Sequence, residues 1–211
     1  KKDIMNQQKE AKLKKLKGDK APKDTLGILE LATGNIVKFP ALKGIEIPRE
    51  GGSFIAFKVE HKETLPDNKD EAADGKKTAK KQSKPKTEIL TIIYDLATNS
   101  VADTLKEVDI LSFNKKGDRL FCIAKGDKYK KLYSYNPATK SSDEILQTGK
   151  KGEILKPYLS ANEKFIIFYA NTDTTRKIDE NVEIYTFNIY AKGAKAQKVV
   201  DNSMAGIPEG M

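Results

Sequence analysis

Apolar and polar residues alternate over short stretches of this chain, and tight turns separate the stretches. One such stretch covers residues 26–31, turns at Ala-Thr-Gly-Asn in residues 32–35, and resumes over residues 36–39. Alternation with a period of two residues is typical of β-strands, and a turn glycine can adopt the positive φ that a tight hairpin requires. The pattern therefore predicts a two-stranded hairpin here.

Three later segments share a longer pattern, in which an inner strand, a tight turn and a second strand follow one another. They cover residues 45–57, 110–123 and 157–168. A strand–turn–strand hairpin follows each of them, over residues 92–101, 131–146 and 183–200. A β-unit of about 40 residues with four short strands has the size of a propeller blade. We therefore expect a mainly β chain, an incomplete β-propeller of about 3.5 four-stranded antiparallel blades.

Composition changes at two places and sets the expected domain boundaries. Residues 1–24 form a Lys-rich lead-in, either a linker or a short helix, and residues 25–211 form the partial propeller. Residues 62–87 interrupt the second unit with a Lys-, Asp- and Ala-rich insertion. This insertion is predicted to be disordered, because it has too few apolar side chains to offset its ordering entropy. Open blade faces predict either a longer protein or self-association through those faces.

The net charge of +9 at first suggests an anionic partner. Most of this charge lies in the lead-in and the insertion, and Arg49, Arg119 and Arg176 are the only arginines in the chain. Nucleic-acid readout favours arginine, so no nucleic-acid partner is expected, although a basic scaffold binding through the Lys-rich segments is an alternative. The sequence shows no apolar run long enough for a membrane span and no visible signal peptide.

Reactive side chains are few. Cys122, the single cysteine, lies within an apolar strand pattern and is interpreted as a small core residue. His61, the single histidine, lies beside the insertion, where a rigid catalytic triad is not expected. Ser53 follows Gly51 but lacks the second glycine of a nucleophile elbow.

Metal and phosphate motifs are weak as well. Asp67, Asp70, Glu71 and Asp74 lack the spacing of a calcium-binding loop and are interpreted as a solvated charge run. Residues 149–152, Gly-Lys-Lys-Gly, resemble a nucleic-acid clamp, but they join two strand patterns and are interpreted as a turn between blades. No catalytic, cofactor-binding or metal-binding residue is therefore predicted, and no cofactor.

Two motifs carry a family resemblance over residues 25–211. Residues 112–121 and 159–166 resemble the blade signature F-S-x-D-G-x-x-L/I, and residues 132–139 and 27–34 resemble the hairpin L-Y-x-x-D-x-x-T-G. Both are common in the N-terminal propeller of prolyl oligopeptidase-family serine peptidases, including exported members from Bacteroidetes-type bacteria, and in TolB-like propellers. The chain departs from the signature at two turns, which read Glu50-Gly51-Gly52 and Ala161-Asn162-Glu163, and it has no tryptophan.

The resemblance implies a non-catalytic role for this chain. Family members carry their catalytic Ser, Asp and His on a separate C-terminal α/β-hydrolase domain, which this sequence does not match, so no site residue can be assigned by comparison. The implied function is to gate the access of peptide substrates to that domain, in a periplasmic or exported enzyme. Whether the chain belongs to an enzyme is left open, and the alternative is a stand-alone propeller that binds protein or glycan partners.

Overall fold

The computed structural model describes residues 6–7, 9–10, 13–15, 22–62, 87–127, 129–149, 152–155, 157–172, 182–191, 193–201 and 203–206. The chain divides into two compact units. The smaller unit comprises Lys1–Lys43 and Val59–Ile89, and the larger unit comprises Gly44–Lys58 and Leu90–Met211. Residues 6, 7, 9, 10 and 13 of the lead-in are helical. The predicted insertion at 62–87 lies outside the described residues except for its two end residues, which belong to strands.

Strands account for most of the described residues. In chain order they are β1 (Thr25–Leu29), β2 (Ile36–Pro40), β3 (Leu42–Glu46), β4 (Phe54–Lys62), β5 (Thr87–Asp95), β6 (Ser100–Lys106), β7 (Val108–Phe113), β8 (Leu120–Gly126), β9 (Tyr129–Asn136), β10 (Ser141–Thr148), β11 (Glu153–Ile154), β12 (Tyr158–Leu159), β13 (Phe165–Asn171), β14 (Glu183–Asn188) and β15 (Gln197–Val200). None of the helices in the described part of the chain is long and apolar enough to cross a membrane.

These strands form four sheets, in which consecutive strands of the chain are neighbours, except that β11 and β12 of sheet IV both pair with β13. Sheet I is the hairpin β1-β2, sheet II has the order β3-β4-β5-β6, sheet III has the order β7-β8-β9-β10, and sheet IV has the order β11-β13-β14-β15 with β12 also pairing β13. The paired strands of sheets I, III and IV are antiparallel. The predicted fold class, a mainly β chain of successive four-stranded antiparallel units, is confirmed.

Sheet IV differs from the others because its first strand is divided. Glu153 and Ile154 pair with one end of β13, and Tyr158 and Leu159 pair with the other end. Pro157 lies between the two pieces. Proline has no backbone N–H to donate to a neighbouring strand, so the ladder is interrupted beside it and two short strands replace one.

The smaller unit is stabilised by strand pairing and by ion pairs. Sheet I is the predicted hairpin, and its antiparallel register pairs Gly27 with Lys38. The carboxylate of Glu60 accepts hydrogen bonds from the ammonium groups of Lys23 and Lys43, the second at 2.8 Å. These two ammonium groups lower the pKa of Glu60 to about 2. Glu60 therefore stays ionised throughout the neutral and mildly acidic range.

The larger unit contains two apolar cores, each between two successive sheets. The first core joins sheets II and III and the second joins sheets III and IV. The first core consists of Ala56, Ile93, Phe113, Leu120, Cys122, Tyr133 and Tyr135. The second core consists of Phe121, Ile123, Leu132, Ile145, Ile154, Ile166, Phe168, Ala170, Tyr185, Phe187 and Ile189.

Strand β8 contributes to both cores because successive side chains of a strand point to opposite faces. Leu120 and Cys122 belong to the first core, whereas Phe121 and Ile123 belong to the second. Sheet III is therefore buried on both faces. This explains why residues 120–124 of β8 form a continuous apolar run without alternating polar residues.

Candidate functional site

Turns at one end of sheets II, III and IV form a linked row in the larger unit, which we call the turn row. It comprises residues 48–53, 114–119 and 160–164, each joining the first strand of a sheet to the second. The backbone N–H of Glu50 donates to the carbonyl of Lys115 at 3.0 Å, and the Lys115 ammonium lies 3.2 Å from the Glu50 carboxylate. The backbone N–H of Lys115 in turn donates to the Glu163 carboxylate at 2.8 Å. One lysine thus connects three successive turns.

Two glycines allow the first two turns of this row to approach closely. Gly52 has φ +104°, and a Cβ there would lie 2.7 Å from the carbonyl oxygen of Lys116. Gly117 has φ +75°, and a Cβ there would lie 2.6 Å from the Cγ of Pro48. Both positions combine positive φ with backbone or ring contact, which only glycine tolerates without strain. The spacing between these turns is therefore fixed by main-chain contact.

A cleft of about 700 Å³ opens in the larger unit between β6 and the outer strands of sheet III. The Tyr135 hydroxyl donates to the Asp103 carboxylate at its wall. Burial and this neighbouring carboxylate both raise the pKa of Tyr135, so the phenol stays protonated. The remaining lining residues are polar or charged for the most part: Thr104, Leu105, Lys106, Val108, Ala124, Tyr129, Lys131, Tyr133, Lys140, Ser142 and Glu144. The cleft offers hydrogen-bonding groups but no activated nucleophile.

A second cleft, of about 650 Å³, lies between β10 and the segment that follows β14. The guanidinium of Arg119 donates to Asp143 at 2.8 Å and to the Ser134 hydroxyl at 3.3 Å. Tyr190, which is 57% exposed, lies on the opposite wall. The arginine of this cleft is therefore already paired within the chain, and Lys195 is a second cation in the lining.

Asp109 forms an ionic link between sheets II and III. Its carboxylate accepts from Lys58 of β4 and pairs with Lys125 of β8. Burial raises the pKa of Asp109, but the two ammonium groups outweigh that effect and leave the pKa lowered. A carboxylate held between two lysines is a structural anion, not a proton acceptor at neutral pH.

Glu183 is the most enclosed carboxylate of sheet IV. It accepts hydrogen bonds from Thr172, through both its N–H and its hydroxyl, and from the Tyr185 hydroxyl at 3.0 Å. Lys198 pairs with it at 3.1 Å and also with Asp201 at 3.0 Å. Burial raises the pKa of Glu183, but these donors outweigh it and lower the pKa overall. The cluster fastens β14 to β15.

We expect the Glu183 cluster to make stability sensitive to acid. Because the folded-state pKa of Glu183 lies below its ordinary value of 4.5, and that of Asp201 is lowered to about 2, their stabilisation is present above pH 4.5 and is lost as pH falls toward 2. Glu183→Gln should lower the melting temperature at pH 7 and flatten the decline between pH 4.5 and 2. Melting followed by circular dichroism checks this, and an unchanged decline in the variant would contradict it.

The structure places the sequence-predicted residues as follows. Cys122 is fully buried in the first core, as interpreted, and burial raises the pKa of its thiol to about 12. His61 is exposed near the end of β4. Ser53 lies in the turn row, where its carbonyl accepts from Leu96. The acidic residues 67, 70, 71 and 74 lie outside the described residues. In residues 149–152, Gly152 N–H donates to the Gly149 carbonyl, which closes a turn between β10 and β11.

Burial of Cys122 gives a simple chemical prediction. A thiol with a pKa near 12 contains almost no thiolate at pH 8, and its sulfur is also shielded from reagents. In the native chain Cys122 should react with Ellman's reagent at least about 100-fold more slowly than in the urea-unfolded chain. Comparable rates in the two states would show that the first core is not closed around this residue.

The links of the turn row were not predicted from the sequence. Gly52 and Glu163, which connect neighbouring turns, stand at the two turns that depart from the blade signature. The departure from the signature at these turns could have marked them as unusual. The sequence does not show, however, which turns lie side by side, and so it does not predict the links. Among the described residues, no group of three His, Cys, Asp or Glu side chains is arranged to hold a metal ion.

Comparison with known proteins finds structural similarity only. No protein-family model and no curated protein sequence matches the chain. Three similar solved structures are the β-propeller domain of the Trilobed protease from Pyrococcus furiosus (12% identity, TM-score 0.48), one from a study of two prolyl endopeptidases (11%, 0.46) and TolB from Acinetobacter baumannii (14%, 0.43). These represent the kinds of protein whose propellers the blade motifs resemble.

Each alignment covers only part of this chain and only part of the similar structure. The matches cover 75%, 76% and 83% of this chain, but only 43%, 21% and 37% of those three chains, respectively. The chain thus spans less than half of the length of the structures it is similar to.

Proposed function

We propose that this chain is a non-catalytic propeller segment of a prolyl oligopeptidase-type serine peptidase, which gates the access of peptide substrates to a hydrolase domain that these 211 residues do not contain. The observation that carries the proposal is the turn row. A size filter requires an entrance whose width stays the same in the presence of a large substrate. The Glu50–Lys115–Glu163 links and the Gly52 contact hold three successive turns at fixed spacing.

Two further features support this role. The blade motifs of residues 112–121 and 159–166 resemble those of the family's propeller. The one thiol is buried and protonated, and the carboxylates of Asp109 and Glu183 are held by lysines, so these groups serve structure. In this proposal the chain selects substrates by exclusion and contributes no step of bond cleavage.

The test uses the product of the complete coding sequence. Glu163→Asn shortens the side chain that receives the Lys115 N–H, while asparagine tolerates the positive φ of 55° at this turn. Asp127→Asn is the matched control, because it removes the same charge from an exposed turn at the opposite end of sheet III. Hydrolysis is measured for peptides of increasing length.

We expect Glu163→Asn to raise kcat/KM for long peptides relative to short ones by about threefold or more, with kcat for short peptides unchanged. Asp127→Asn should leave the ratio as it is. An unchanged length profile in Glu163→Asn would contradict gating by the turn row. A complete product without peptidase activity would contradict the proposal itself and favour a stand-alone binding propeller.

A further inference from the structure

The second hairpin turn of sheet III lies at the same end of the sheet as its part of the turn row. Leu120 pairs with Phe113, the last residue of β7, and with Tyr135, near the end of β9. The turns at residues 114–119 and 137–140 therefore project from the same end of the sheet.

Sheet IV has the same arrangement. Ile166 pairs with both Leu159 and Phe187, so the turn at residues 160–164 and the connection that follows β14 lie at one end. We call the turn row together with these two further connections the turn end. It comprises residues 48–53, 114–119, 137–140, 160–164, 189–191 and 193–196.

Exposed cations without partners are found on every sheet of the turn end. Among the described residues, no hydrogen bond or ion pair reaches the side-chain cations of five residues: Arg49 of sheet II, Lys116 and Lys140 of sheet III, and Lys164 and Lys195 of sheet IV. Two of the five stand on turns that touch, because the N–H of Glu50 donates to the Lys115 carbonyl at 3.0 Å. Standard bond lengths then place the Cα atoms of Arg49 and Lys116 within about 8 Å of each other.

The acidic side chains of the turn end are, by contrast, held by donors of the chain itself. Asp118 accepts from the Asn114 side-chain amide at 2.5 Å, and Glu163 accepts from the Lys115 N–H at 2.8 Å. Glu50 pairs with the Lys115 ammonium at 3.2 Å. Each acid of the turn end thus has a partner, whereas the five cations are presented to solvent.

The other end of sheet III has a different charge arrangement. There, Lys125 pairs with Asp109, and Lys130 pairs with Glu153. The cations described at that end are therefore neutralised within the chain. The excess of positive charge is specific to the turn end and is not a general property of the lysines of this unit.

We propose that the turn end docks extended polypeptide rich in Asp and Glu. Four of its five unpaired cations are lysines, whose ammonium groups act as separate point charges. They are spread over successive sheets, which suits carboxylates spaced along an extended chain. Phosphate recognition favours the arginine fork, and only one of the five is an arginine. The consequence for substrates rests on the proposed function: if the turn row gates access, acidic peptides are the preferred substrates.

The test measures peptide binding to the product of the complete coding sequence by fluorescence anisotropy. Two labelled peptides of equal length are used, one alternating Glu with Ser and one with Gln in place of Glu. Lys116→Gln removes one cation of the turn end, and a triple variant adds Arg49→Gln and Lys164→Gln. These are exposed positions, where substitution changes stability little.

Lys125→Gln is the matched control, because it removes the same charge from the other end of sheet III. Lys125 lies five residues along β8 from Leu120, a distance of about 17 Å. This exceeds the Debye length of about 10 Å at 0.1 M salt, so its charge is largely screened from the turn end.

At about 0.1 M salt we expect the Glu peptide to bind at least about fivefold more tightly than the Gln peptide. The preference should fall about twofold or more in Lys116→Gln, disappear in the triple variant and persist in Lys125→Gln. Equal affinities for the two peptides, or equal losses in Lys116→Gln and Lys125→Gln, would overturn the proposal. Tighter binding of a single-stranded oligonucleotide of the same net charge would also overturn it.

Hydrolysis of the two peptides by the same samples separates this inference from the proposed function. Binding that follows the expected pattern without hydrolysis would support the docking surface and contradict the proposed function. Hydrolysis of both peptides at equal kcat/KM, with equal affinities, would overturn the docking surface and leave the gating proposal standing. Faster hydrolysis of the Glu peptide that is lost in the triple variant would support both.

Discussion

Phe121→Ala is expected to lower the free energy of unfolding by about 3–5 kcal/mol, the largest loss of any substitution considered for this chain. Phe121 is fully buried in the core between sheets III and IV. Removing the ring forfeits its burial and leaves a cavity that neighbours on two different sheets would have to close. Urea unfolding followed by circular dichroism measures the change.

Ile167→Ala is the matched control, because Ile167 pairs with Thr186 in sheet IV as Phe121 pairs with Ser134 in sheet III. Its side chain is 42% exposed, so the expected loss is about 1 kcal/mol or less. If the two substitutions destabilised the chain equally, Ile167 would be as buried as Phe121 in this protein, and the stacking order of the sheets would be wrong.

Gly52→Ala is expected to be the second most damaging change, with a loss of about 2–3 kcal/mol. The added Cβ would lie 2.7 Å from the Lys116 carbonyl oxygen, and the backbone φ of +104° disfavours any side chain. Since the obstacle is main chain, relief requires the turns of sheets II and III to separate. The loss should therefore be accompanied by faster amide exchange at Glu50, whose N–H donates to Lys115.

Gly51→Ala separates backbone strain from the steric contact. Gly51 has φ +128°, but a Cβ there would meet no described atom within 4 Å. Its substitution should cost about 1 kcal/mol and leave exchange at Glu50 unchanged. Equal losses of unfolding free energy and equal changes in Glu50 exchange for the two variants would contradict this. They would mean that the close contact between the turns does not stabilise the turn row.

Much of the fold could be predicted from the sequence because its signals are local. The hairpin of sheet I follows from alternation on both sides of the Thr33-Gly34 turn, and the limits of sheets II–IV follow from the recurrence of the same signals. The core position of Cys122 could be predicted for the same reason, since it lies within an apolar strand.

Features that depend on neighbouring sheets could not be predicted. The runs Leu120–Ile123 and Ile166–Tyr169 look alike in sequence, yet the first is buried on both faces and the second on one. Pattern alone does not reveal whether a sheet has a following neighbour. The Lys115–Glu163 link and the Asp109 pairs likewise join residues that are far apart in sequence, and their charges resemble ordinary surface residues until the sheets are stacked.

The stacking order of sheets II, III and IV is the claim on which the rest depends, and nuclear Overhauser effects between side chains test it most directly. We predict contacts from Ala56 and Ile93 to the sheet III members of the first core, and from Phe121 and Ile123 to Ile166 and Phe168 of sheet IV. Effects that connect sheet II directly with sheet IV, or none between successive sheets, would contradict the account.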